Sequence, residues 1–182
     1  MKKLSFIIAM MLMLVACSND TSSEKPSDTE ASTSKENELS YEEKQKEIVA
    51  FINEDMNEIA GYETKANEAL ATVSGENFKN DQELLSVLTS EVIPEYEKAI
   101  ETAESLEVTV EELEPIKGQM EEALSIYYDA LLLEKEALEK TDQELIEQSN
   151  AKGEEYLTAL NEYHEEMEKL AKEYDIDYQR TQ

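Results

Sequence analysis

Tryptophan is missing from this 182-residue sequence, and cysteine and histidine occur once each. A single cysteine closes no intramolecular disulfide and builds no cysteine zinc cluster. A single histidine rules out a His-rich metal site. Four glycines and three prolines leave little material for a glycine-rich phosphate loop or a turn-dense β fold. Basic residues are also scarce. Sixteen Lys+Arg stand against 44 Asp+Glu, for a formal net charge of −28. Nucleic-acid binding needs a cationic footprint to displace phosphate counterions, and this balance excludes it.

What is present begins with a leader. Lys2 and Lys3 precede the apolar run Leu4–Ala16, and Cys17 follows. A short cationic start and a short apolar stretch form a secretory signal pattern. A membrane-spanning helix needs about 20 apolar residues, and this run is shorter. The segment Leu14-Val15-Ala16-Cys17 resembles the lipobox of bacterial lipoproteins. Leu14 stands at the branched position, small Ala16 before the cut, and Cys17 just after it. The resemblance implies cleavage between Ala16 and Cys17 and diacylglycerol on the Cys17 sulfur. Each buried methylene contributes roughly 0.8 kcal/mol, so two acyl chains anchor stably where one is marginal. Cleavage removes Lys2 and Lys3 and makes the charge more negative still. No juxtamembrane basic patch assists the lipid. Arg180 is the one arginine among 16 Lys+Arg, a bias that suggests an AT-rich, Gram-positive source. The expected location is the extracytoplasmic face of the cell membrane.

Residues 17–38 combine the lipidated cysteine with a linker. Ser18–Glu38 is rich in Ser, Thr and acids and holds no large apolar side chain. Such a stretch buries too little surface to offset its ordering entropy, so a disordered tether of roughly 25 Å end-to-end distance is predicted.

From Leu39 the pattern changes to the helical period of three or four. The apolar stripes run from Ile48 to Val73, Leu85 to Leu106, Leu113 to Leu138, and Ile146 to Tyr174. Ser40–Glu43, Asn80–Glu83, Thr109–Glu112 and Thr141–Glu144 each fit a capping box or its Asn variant. Gly75 is placed to end the first helix in a left-handed conformation. Helices are predicted near 41–73, 81–105, 110–139 and 142–176. Pro94 should bend the second. Pro115 moves the third start toward Glu111 or Glu112, where the first turn tolerates proline. Lys140–Asp142 is read as a tight hairpin, with one continuous helix as the alternative. Short connections set neighbours antiparallel. The expected fold is all-α: an elongated antiparallel four-helix bundle, up-down-up-down, over 39–178, with a tail at 179–182. A self-associating coiled coil is the alternative.

Tyrosine is the unusual seam residue. Tyr62, Tyr96, Tyr127, Tyr156, Tyr163 and Tyr174 fall on the stripes. Packing with the hydroxyls at the rim is the first expectation. The alternative is an aromatic interaction surface on helices three and four, for which Tyr127, Tyr128, Tyr156 and Tyr163 are the best residues. His164 and Glu168 lie one turn apart, but a dimetal bundle needs two Glu-x-x-His motifs, so no metal site is assigned. Asp55 and Asn57 begin like a calcium loop, yet Ile59 occupies the next ligand position. With Cys17 lipidated no Cys–His pair remains, and no Gly-x-Ser-x-Gly elbow occurs. A non-enzymatic protein without cofactor is expected.

Several stretches look familiar together: Val92-Ile93-Pro94-Glu95-Tyr96, Ile116-Lys117, Tyr128-Asp129-Ala130, the Asp142–Asn150 helix start, Asn161-Glu162-Tyr163 and Leu170-Ala171-Lys172-Glu173-Tyr174. The pattern is similar to the helical ectodomains of uncharacterised lipoproteins from low-GC Gram-positive bacteria, some of them labelled cell-wall-binding. The resemblance implies an envelope location and a bundle, and it transfers no catalytic residue. The expected role is a protein- or wall-interaction module, held at the membrane by Cys17 lipid, with an envelope protein or wall component as partner. Ligand or cation binding, and a passive acidic spacer, are the alternatives.

Overall fold

The computed structural model describes residues 39–180. The predicted leader, the expected Ala16/Cys17 cleavage site and the predicted linker over 17–38 lie outside the described residues. Those described are helical, without strands. Four helices form: α1 (41–71), α2 (81–105), α3 (Glu114–Lys140) and α4 (Gln143–Glu173). They pack around one apolar core.

One of the four predicted capping boxes is complete, and a second is built by half. The Ser40 hydroxyl accepts from the Glu43 amide at 3.3 Å, while the Ser40 amide donates to the Glu43 carboxylate at 2.8 Å. Asn80 accepts from the Glu83 amide at 2.9 Å. The other two differ. Thr109 does not cap α3; its hydroxyl donates to Glu47 on α1 at 3.3 Å. A 3-10 turn, Glu111–Leu113, leads into α3 instead, with Pro115 in the first α turn. Proline fits there because that N–H has no intrahelical acceptor. Thr141 is not the cap of α4 but the left-handed end of α3, at φ 55. The Asp142 amide closes back on the Ala137 carbonyl at 3.0 Å, and Asp142 then caps α4 through the Glu144 amide at 2.9 Å. Helices three and four are therefore separate. Gly75 is left-handed, at φ 57, but α1 has already stopped at Ala71, and Gly75 opens a 3-10 turn.

Both first helices contain one wide turn. In α2 it spans Leu88–Val92, and the Ile93 amide reaches the Leu88 carbonyl five residues back. Pro94 has no N–H to continue the ladder, so the sequence-predicted bend is absorbed as a π turn just before it. In α1 the corresponding turn is Phe51–Asp55. Each turn shifts the buried stripe. Phe51 is buried while Ile52 is half-buried, and Leu84 is buried while Leu85 is half-buried.

The helix interfaces differ in thickness. Between α3 and α4 the buried residues are small: Ala123, Ala130 and Ala137 on one side, Ser149 and Gly153 on the other. The backbones approach closely enough for the Ser149 hydroxyl to donate to the Ala130 carbonyl at 2.8 Å. Between α1 and α4 the backbones rarely approach, and long side chains span the gap. At one end of that gap Tyr41 stacks on Tyr174, ring centroids 5.1 Å apart. There Gln45 donates to the Tyr174 carbonyl at 2.6 Å, which satisfies an orphan carbonyl at the end of α4.

After Asp175, at φ 52, the chain folds back. Ile176 and Tyr178 pack against the core. Arg180, assigned by the sequence to a terminal tail, is bound to α4 through Glu168 and through Asn161 at 2.7 Å.

Candidate functional site

The polar centre of the molecule is assembled from all four helices. Glu63 comes from α1, Tyr96 from α2, Tyr127 from α3 and Tyr156 from α4. Tyr96 and Tyr127 have ring centroids 5.0 Å apart, and Tyr127 and Tyr156 are 4.8 Å apart. The tilted rings are the favoured aromatic geometry. The Tyr96 hydroxyl donates to Glu63 Oε1 at 3.1 Å, and the Tyr156 hydroxyl donates to the same oxygen at 3.4 Å.

Glu63 as a residue keeps some solvent exposure, but protein atoms crowd its carboxyl group. Burial pushes that group up to about 7, against the pull of the two tyrosine hydrogen bonds. Glu134 stands two turns beyond Tyr127 on α3 and is 5% exposed. Burial pushes it up to about 7 as well. The tyrosines move the other way with respect to ionisation. Burial first, then neighbouring Glu63, holds Tyr96 and Tyr156 well above the ordinary phenol range. They therefore remain hydroxyl donors while the carboxyl groups exchange protons near neutrality.

The structure separates the four tyrosines proposed as one surface. Tyr127 and Tyr163 are buried at 5% and 3% exposure, so neither lies on an interaction surface. Tyr156 is half-buried against Glu63. Tyr128 is half-buried and donates to Glu97 at 2.7 Å, which raises its hydroxyl to about 12, with burial adding to the effect. For Tyr127 and Tyr163 the expected surface position is therefore corrected to packing in the core, while Tyr128 and Tyr156 stay partly exposed. A tyrosine on an apolar stripe has more area to bury than its hydroxyl loses, provided a partner is found.

His164 is half-buried on α4, and its Nδ1 is joined to the Tyr178 hydroxyl at 2.6 Å. Burial lowers its pKa, and the Arg180 charge lowers it further. Glu168 is occupied by Arg180. Among the described residues no group of three His, Cys, Asp or Glu side chains could hold a metal ion.

Sequence reasoning missed Glu63. Its signal was nevertheless present: Ile59, Glu63, Ala66 and Leu70 follow the helical period, and the other three are buried. An acid in phase with an apolar stripe marks a position the fold must satisfy or neutralise. Glu134 carried the same signal between Tyr127 and Ala137.

No family model, curated protein or solved structure matches this chain. Its function is read from its own residues.

Proposed function

We propose that this protein is a cell-envelope lipoprotein, anchored through lipid on Cys17 at the extracytoplasmic face. Its helical body acts without catalysis, as a binding module for another envelope protein or a wall component. The observation that carries this reading is the single cysteine of the chain, which directly follows Leu14-Val15-Ala16 and an apolar run. An antiparallel up-down-up-down bundle is part of the same proposal. It is supported by the Ser149–Ala130 and Tyr156–Tyr127 pairings along α3 and α4 and by Glu63–Tyr96 between α1 and α2. Tyr41 and Gln45 meeting the end of α4 bring the start and end of the folded body together. In this arrangement the tether enters at that end. The turns at 72–80 and 141–142, with Phe78 45% exposed, point away from the membrane.

The interaction surface of this reading lies outside the buried tyrosines. Leu132 on α3 and Leu157 on α4 are 38% and 49% exposed and serve as probe positions. A basic partner would be steered by the −28 charge. The test is photo-cross-linking in cells of the producing bacterium, with probes at Leu132 and Leu157, in the native chain and in Cys17→Ala. The proposal expects the native chain in the membrane fraction, the variant in the medium, and one discrete adduct lost with the anchor. A variant that stays membrane-bound overturns the lipid anchor. Absence of any adduct at either position overturns the binding role.

A further inference from the structure

Among the apolar side chains that span the gap between α1 and α4 stands one acid. Glu63 enters from α1, and one of its oxygens is held by hydroxyls from α2 and α4, at 3.1 and 3.4 Å. We propose that Glu63, Tyr96 and Tyr156 form a protonation-dependent latch: the neutral carboxyl keeps α1 closed on α4, and ionisation loosens α1 while the α3–α4 hairpin stays packed.

The geometry supports both halves of the device. The side chains that interact with Glu63 among the described residues are tyrosines. Tyr96 approaches from α2, Tyr127 from α3, and Tyr156 and Tyr163 from α4; burial raises all four hydroxyls. No cation acts on Glu63 among the described residues; on the same helix Lys65 lies over the Tyr62 ring. An ionised Glu63 therefore meets hydroxyl dipoles but no counter-charge, and water is the stronger solvent for it. Water has a route, because Glu63 is only partly covered and the α1 and α4 backbones stand apart. The α3–α4 interface offers no such route. Its small residues bring the helices together, and the Ser149–Ala130 hydrogen bond is wholly buried.

Two other shifted groups stand apart from Glu63. Glu134 lies on α3, where its charge acts on Tyr127, and it is not among the groups that act on Glu63. His164 faces Tyr178 and Arg180 on the returning C-terminal segment, and its lowered pKa places its titration below that of free histidine.

Hydrogen exchange of the full chain, purified in detergent, tests the latch at pH 6.5 and 8.5 after correction for chemical exchange. Protection of α1 around 59–70 should fall by about fourfold at the higher pH, as expected for a carboxyl group raised from 4.5 to about 7, with α3–α4 peptides around 123–137 and 149–163 unchanged. In Glu63→Gln that difference should vanish, and in Glu134→Gln it should persist. A uniform loss of protection, or a difference that survives Glu63→Gln, overturns the proposal. Should Glu63→Gln not fold, Tyr156→Phe serves in its place. Removing one donor to the ionised form should raise the midpoint of the α1 transition, and an unmoved midpoint overturns the latch.

Discussion

At the residue scale, this core turns on two carboxyl groups among tyrosines. Glu134 is the more buried, and its position in phase with Tyr127 and Ala137 leaves it nowhere to go. Its folded pKa of about 7 lies above the ordinary 4.5. The folded state therefore binds the proton more tightly than the unfolded chain. Stability from this group is fully present below about 4.5 and is lost as pH rises through about 7. A gap of that size corresponds to about 3 kcal/mol at alkaline pH. Glu134→Gln is expected to stabilise the protein by about 1–3 kcal/mol at pH 8 and to gain little at pH 5. Urea unfolding at both pH values checks it; equal gains at the two would rule out ionisation as the cause.

At the element scale, the helix ends follow local chemistry with one exchange of roles. Thr141 holds a left-handed conformation that costs a β-branched residue roughly 1–2 kcal/mol, while Asp142 beside it makes the cap. Thr141→Gly is expected to stabilise by up to about 1 kcal/mol. Asp142→Ala should cost about 1 kcal/mol, and Thr109→Ala much less than Asn80→Ala. Thermal melts of the four variants give the order directly. A Thr141→Gly that destabilises would show that the threonine contributes something besides its backbone angle. The π turns belong to this scale too. In α2 the cause is local, since Pro94 cannot supply the amide that would close an α turn. In α1 no proline is near, and burial of Phe51 at 1% accompanies the wide turn.

At the scale of the whole molecule, charge is the dominant feature. The salt bridges on the helices are mostly short-range pairs such as Lys79–Glu83 and Lys117–Glu121, each worth a few tenths of a kcal/mol. They leave most of the acids unopposed, and a chain at −28 repels itself when folded. Screening shortens the reach of that repulsion to about 8–10 Å at physiological salt. The melting temperature should rise as sodium chloride goes from about 0.02 to 0.5 M at pH 8, and rise less at pH 5, where carboxylates begin to protonate. Calorimetry across that series checks it; a fall with salt would mean that the ion pairs outweigh the net repulsion.

The sequence by itself determined the helical class, the number of helices, two caps and most of the buried stripe, because these depend on contacts within a few residues. The period that places Ile48, Ile59, Tyr96, Tyr127 and Met167 on the stripes needs no knowledge of the partner helix. The apolar run Leu4–Ala16 ahead of Cys17 is likewise a property of sequence order alone. Tertiary structure decided what lies between the helices. It showed which interface is thin and which is wide, that Phe51 and Leu84 displace Ile52 and Leu85 once a π turn shifts the phase, and that Thr109 and Glu112 serve long-range contacts instead of a cap. It also decided the fate of Glu63. A carboxyl group on an apolar stripe is an unresolved cost in the sequence, and its partners come from helices 33 and 93 residues away in the chain, a distance that local patterning does not reach.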